Sequence, residues 1–102
     1  MNARTEYAGL LALSGYFHED WLDDYASDVD ALKDFVASEP YAQVSGALSD
    51  IGQLLRHDDA HIDAAWNATY FNYETEADGY TKRQWLQHAM ATIRDLVGRS
   101  AD

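Results

Sequence analysis

The chain is predicted to be all-α, a compact single-domain bundle of about five helices. Apolar residues recur at alternating steps of three and four nearly throughout, the spacing that lines one face of a helix. Capping and breaking residues stand where those stripes stop. No segment sustains a period-two alternation with β-branched residues. Tyr70-Phe71-Asn72-Tyr73 comes nearest and is too short to found a sheet. A length of 102 residues fits one domain, residues 1–102, and a chain of this mass buries roughly 65% of its unfolded surface. With 47% hydrophobic and 13% aromatic residues it is too apolar to stay disordered.

The first stripe is Tyr7, Leu10, Leu11 and Ser14, and Gly15 weakens that helix before Tyr16 and Phe17. Ser27 is a good N-cap for a second helix, with Asp28 and Asp30 in the first turn, where the helix dipole favours anions. Its inward stripe reads Val29, Leu32, Phe35 and Val36. Pro40 closes that helix and can open the next, because a missing N–H costs nothing in a first turn. The third helix carries Tyr41, Val44, Leu48, Ile51 and Leu55 on one face. A short fourth helix follows His57–Asp59, with Ile62, Ala65 and Trp66 inward. An irregular stretch from Asn72 to Tyr80 contains the turn pair Asp78-Gly79. Thr81-Lys82-Arg83-Gln84 is a capping box for the last helix. That helix turns Leu86, Ala89 or Met90, Ile93 and Val97 to the core, and Gly98 is its expected stop.

Charge narrows the function. The formal net charge is −11 and the isoelectric point near 4.4. Phosphate backbones and anionic lipid surfaces repel such a chain, so direct nucleic-acid or membrane binding is not expected, and plausible partners are basic. The acidity is concentrated. Between Glu19 and Glu39 stand eight acids (Glu19, Asp20, Asp23, Asp24, Asp28, Asp30, Asp34, Glu39) against Lys33 alone, a net of −7. From Tyr80 onward four bases face two acids. The absence of cysteine removes disulfides and thiolate chemistry and fits a reducing compartment. With neither an export signal nor a stretch near the ~20 apolar residues of a membrane span, the cytoplasm is the expected location.

Candidate chemistry is sparse. Phe17, Trp21 and Tyr25 stand four apart and on helical geometry share a face, as core anchors do. His18, Glu19 and Asp20 are consecutive, so their side chains do not converge on one metal. His57 and His61 have the spacing of zinc-binding helices, but that signature needs a third ligand and a catalytic Glu after its first His, where this chain has Asp58, with Ala60 before His61; a solvated helix start explains the neighbouring acids. Paired carboxylates such as Asp23-Asp24 and Glu74 with Glu76 abound, yet nothing marks one pair for acid–base work. No phosphate loop, nucleophile elbow or metal set is present, so no cofactor and no catalytic residue is expected.

The stretch Tyr16-Phe17-His18-Glu19-Asp20-Trp21, followed by an acidic run ending in Asp24-Tyr25, resembles the immunity proteins of bacterial contact-dependent growth inhibition systems. Further pieces come in the same order: Ala31 to Phe35, Leu48 to Leu55, the aromatic knot Tyr70 to Tyr73, and Ala77 to Thr81 with Trp85-Leu86 opening the last helix. The resemblance runs from about Tyr7 to Val97. Where the family often has a glycine-containing step before the knot, this chain has Asn67-Ala68-Thr69. The resemblance implies a non-enzymatic, cytoplasmic inhibitor that binds the toxic C-terminal domain of an effector, in many such systems a nuclease. It also implies that Tyr16, Phe17, Trp21, Tyr25, Trp66 and Trp85 belong to a shared helical scaffold.

A nuclease site is basic because it holds phosphates, and a carboxylate-rich helical face complements it. Glu19, Asp20, Asp23, Asp24, Asp28, Asp30 and Asp34 are therefore the expected toxin-binding residues. Tyr73, Glu74, Glu76, Asp78 and Tyr80 form a second-choice interface, being irregular, aromatic and acidic. Two other readings fit the composition: a general helical interaction or adaptor domain, and a metal-assisted hydrolase.

Overall fold

The computed structural model describes residues 6–100. Among them are six α-helices: α1 (Ala8–Ser14), α2 (Trp21–Asp24), α3 (Asp28–Ser38), α4 (Tyr41–Leu54), α5 (Asp59–Ala68) and α6 (Lys82–Ser100). Five of these have seven residues or more, and the described residues contain no strand. Two 3₁₀ turns, Gly15–Phe17 and Thr75–Asp78, complete the chain.

The helix boundaries follow from local chemistry. The Ser27 side chain accepts the Asp30 N–H at 3.3 Å, and the Asp58 side chain accepts the His61 N–H at 2.9 Å. At α6 the Thr81 hydroxyl accepts the Gln84 N–H at 3.1 Å while Gln84 Oε1 accepts the Thr81 N–H at 2.9 Å, a reciprocal capping box. Pro40 is the N-cap of α4, and its carbonyl accepts from the Gln43 and Val44 N–H groups. The expected stop at Gly98 does not occur, and α6 continues to Ser100. A helical glycine costs only about 1 kcal/mol, and the Arg99–Asp95 pair at 3.1 Å spans the site.

Helix α6 is the hub, packing against α3, α4 and α5, while α1 lies along α4. The α1–α4 crossing is tight. A Cβ on Gly9 would lie 2.2 Å from the backbone of Gly46. This approach lets Asp50 of α4 accept the N–H groups of Gly9 at 2.8 Å and Leu10 at 3.0 Å, capping α1 from a neighbouring helix. Burial pushes the Asp50 carboxyl above its ordinary pKa, with those two N–H bonds pulling the other way. Arg83 ties the start of α6 to the α4–α5 turn through the carbonyls of Leu55 at 3.0 Å and His57 at 2.5 Å, and through Asp59 at 3.0 Å.

The inward stripe of α4 differs from the spacing predicted. Val44, Ala47, Ile51 and Leu54 are buried, Leu48 and Leu55 are half-buried, and Tyr41 is 71% exposed. Both α1 and α6 pack on α4, which rotates the buried stripe by part of a turn. Tyr41 sits in the first turn, beyond the reach of that packing. In α1 the same effect buries Leu10 and Leu13 and leaves Leu11 half-buried.

Candidate partner-binding face

The chain between α1 and α3 is an acidic strap pinned by aromatic rings. It is not the continuous helix that a four-residue spacing implies: the Gly15–Phe17 turn ends at His18, whose backbone is extended, before the single turn of α2. Phe17 and Trp21 nevertheless converge, with ring centroids 5.1 Å apart, because the Trp21 N–H returns to the His18 carbonyl at 3.0 Å. Both are buried, and they join Trp66, Phe71, Tyr73 and Trp85 in one aromatic cluster. Tyr16 and Tyr25 are half-buried at its edge.

Anchoring Phe17 and Trp21 inward leaves the residues between and after them turned outward. Glu19, Asp20, Asp23 and Asp24 are exposed. His18 Nδ1 accepts the Asp20 N–H at 3.1 Å, which assigns the ring proton to Nε2, and this donates to Asp24 at 2.9 Å. Leu22 is 67% exposed between these acids. Sequence reading missed it, although its position next to the inward Trp21 carries the signal, since neighbouring helical residues point about 100° apart.

The other three acids of the predicted set take internal roles or partial burial. Asp28 accepts the Trp85 indole N–H at 2.9 Å, lies 3.4 Å from His88 Nε2, and so joins α3 to α6. Asp34 accepts the hydroxyls of Ser38 at 2.6 Å and Tyr25 at 2.5 Å, and these bonds hold its carboxyl below the ordinary range. Asp30 is half-buried in the first turn of α3. Glu39 accepts the Tyr16 hydroxyl at 2.9 Å.

The irregular stretch after α5 differs from expectation at Tyr73. Expected as an exposed aromatic, Tyr73 is 4% exposed, with ring centroids 5.5 Å from Phe17, 5.0 Å from Trp21 and 5.3 Å from Trp85. Phe71, Tyr73 and Thr75 are buried while Asn72, Glu74 and Glu76 are exposed. An extended segment alternates its side chains, and this one lays its inner residues over the aromatic cluster. The Tyr73 hydroxyl donates to Asp78 at 2.6 Å. Tyr80 is half-buried and stacks on His88 at 5.3 Å.

The structure brings the strap and this stretch together: the Asn72 N–H donates to the Phe17 carbonyl at 3.0 Å. Elsewhere, the His57 and His61 rings stack at 3.9 Å, and His61 Nε2 meets the Tyr7 hydroxyl at 2.9 Å. Among the described residues no three His, Asp or Glu side chains are grouped as a metal site requires. Nor is any described helix long and apolar enough to cross a membrane.

These features define a helical domain with a scaffold of buried rings and an outward acidic face. The chain belongs to the CdiI immunity protein family, whose model matches residues 9–93. Members of this family neutralise a toxin of contact-dependent growth inhibition by binding it, and are generally not enzymes. No curated protein and no solved structure gave a match.

Proposed function

We propose that this chain neutralises its cognate growth-inhibition toxin in the cytoplasm, without catalysis, by seating a carboxylate-rich face against a basic toxin domain, a nuclease. One observation carries the reading: the net charge of −7 between Glu19 and Glu39 includes four neighbouring carboxylates, Glu19, Asp20, Asp23 and Asp24, that project from a strap fixed by Phe17 and Trp21. Rigid presentation matters because a pre-ordered face loses little conformational entropy on binding. Asp30 extends the face, and Asp28 and Asp34 add to its field while serving the fold. An acidic face repels nucleic acid and anionic membranes, so the toxin is engaged directly and not through either.

The test is the triple reversal Glu19→Lys, Asp20→Lys and Asp23→Lys, titrated against the toxin domain encoded beside this gene. Association should slow by roughly 10-fold or more at low salt, and the deficit should shrink as ionic strength rises and the Debye length falls. Binding and protection unchanged by the reversal would remove the acidic face from the interface.

A further inference from the structure

We infer that a cleft between the strap and the loop after α5 receives one arginine side chain of the toxin, which deepens the reading above and rests on it. The cleft encloses about 280 Å³. That is below the roughly 300–1,000 Å³ of sites for drug-sized ligands and suits a single side chain. Trp21 and Tyr73, both buried, form its inner wall with ring centroids 5.0 Å apart and nearly perpendicular. The exposed Leu22 lines one side. At the mouth stand Glu19 from the strap and Glu74 and Asp78 from the loop, and no base is among the lining residues.

The chemistry selects the occupant. A neutral apolar side chain would fit the inner wall but would leave three carboxylates facing it as they lose water, which is costly. A small cation would satisfy the carboxylates and gain nothing from Leu22 and the rings. An arginine matches both parts. Its stem packs on Leu22 and the exposed edges of Trp21 and Tyr73 while its planar, weakly hydrated guanidinium donates to more than one carboxylate. The two walls are held in register by the Asn72 N–H bond to the Phe17 carbonyl, and the Tyr73 hydroxyl bond to Asp78 braces the loop wall, so the pocket is formed before the toxin arrives. The two acidic segments thus make one site.

The experiment titrates the neighbouring toxin domain with wild type, with E19Q/E74Q, with A77W, which fills the cleft without changing charge, and with D23N/D30N, which removes as much charge from the same acidic face outside the cleft. Far-UV circular dichroism and melting confirm that each variant folds. E19Q/E74Q and A77W should each weaken binding by about tenfold or more, a loss that persists at high salt, whereas D23N/D30N should slow association by a smaller factor that shrinks as salt rises. Double-mutant cycles against arginine-to-alanine variants of the toxin should couple the cleft to one arginine. Equal losses from the two double variants, tight binding by A77W, or coupling to no arginine would each overturn the cleft while leaving the acidic-face reading in place. Wild-type chain that fails to bind the toxin would sink that reading, and the cleft assignment with it. A dimer of the chain alone that A77W disperses would assign the cleft to a second copy and overturn the inference.

Discussion

A Cβ on Gly9 would stand 2.2 Å from the Gly46 carbonyl carbon and 2.3 Å from the Ala47 nitrogen, backbone atoms that cannot yield without moving α4. The same helix pair tolerates a methyl on the other side, since a Cβ on Gly46 would meet Gly9 Cα at an ordinary 3.6 Å. Two single variants should therefore separate. Gly9→Ala should cost about 3 kcal/mol by prying α1 from α4 and lengthening both Asp50 bonds. Gly46→Ala should cost nothing and gain up to about 1 kcal/mol of helix propensity. Urea unfolding followed by tryptophan fluorescence distinguishes them, and equal effects would show that the crossing is looser than described. Nothing beside Gly9 in the chain marks it, because its constraint comes from a helix that is remote in sequence. The capping residues, by contrast, act within four positions and were legible at Ser27 and at Thr81 with Gln84.

Helix α5 ends in a six-residue return more often built on glycine. Tyr70 has a left-handed φ of 66°, its N–H bonds to the Asn67 carbonyl at 3.2 Å, and the Phe71 N–H bonds to the Trp66 carbonyl at 3.4 Å. The accompanying hydrophobic contact is the stack of Trp66 on Phe71 at 4.2 Å. A non-glycine residue at this φ costs roughly 1–2 kcal/mol, so Tyr70→Gly should stabilise the domain by about 0.5–1 kcal/mol after the extra chain entropy of glycine is offset. A lower melting temperature for that variant would mean that the ring contributes more than its backbone strain costs. The residues that follow show why part of the site was hidden. Alternation at Phe71, Tyr73 and Thr75 is a strand's pattern used without a strand partner. Read as a hint of a sheet it leads nowhere, and its true counterpart is the aromatic cluster beneath.

Among the described residues, some acids only face outward, while others accept hydrogen bonds from the rest of the fold, three of them from tyrosine. Glu39, Asp34 and Asp78 take the hydroxyls of Tyr16, Tyr25 and Tyr73. Burial and then the Glu39 bond push Tyr16 up to about 12, while the Asp34 bond and then burial push Tyr25 up to about 12. Tyr73 is also raised, by burial first and the Asp78 bond second. The folded pKa values lie above the ordinary value near 10, so the folded state holds protons that the unfolded state releases. Their stability is fully present below about pH 10 and is lost as pH rises from there toward 12. Alkaline titration followed by the phenol resonances of Tyr16, Tyr25 and Tyr73 individually should therefore show these three ionising together with unfolding. Ionisation of any of the three near pH 10 with the fold intact would contradict these bonds. The charge asymmetry itself was readable as a count along the chain. Which carboxylates were free to meet a partner was not, because Asp28 and Asp34 are claimed by Trp85 and by Tyr25 and Ser38, groups on other elements or beyond a turn.

The hydrogen bond from Asn72 to the Phe17 carbonyl also gives the molecule a built-in clock. The Asn72 side is exposed, so its amide proton exchanges whenever the loop lifts from the strap, an opening far smaller than unfolding. A toxin side chain gripped by both walls would have to leave before that opening could occur. The exchange lifetime of this one amide should then lengthen in the complex toward the residence time of the toxin, whereas a lifetime unchanged from the free protein would mean that the two walls are not held together by the partner.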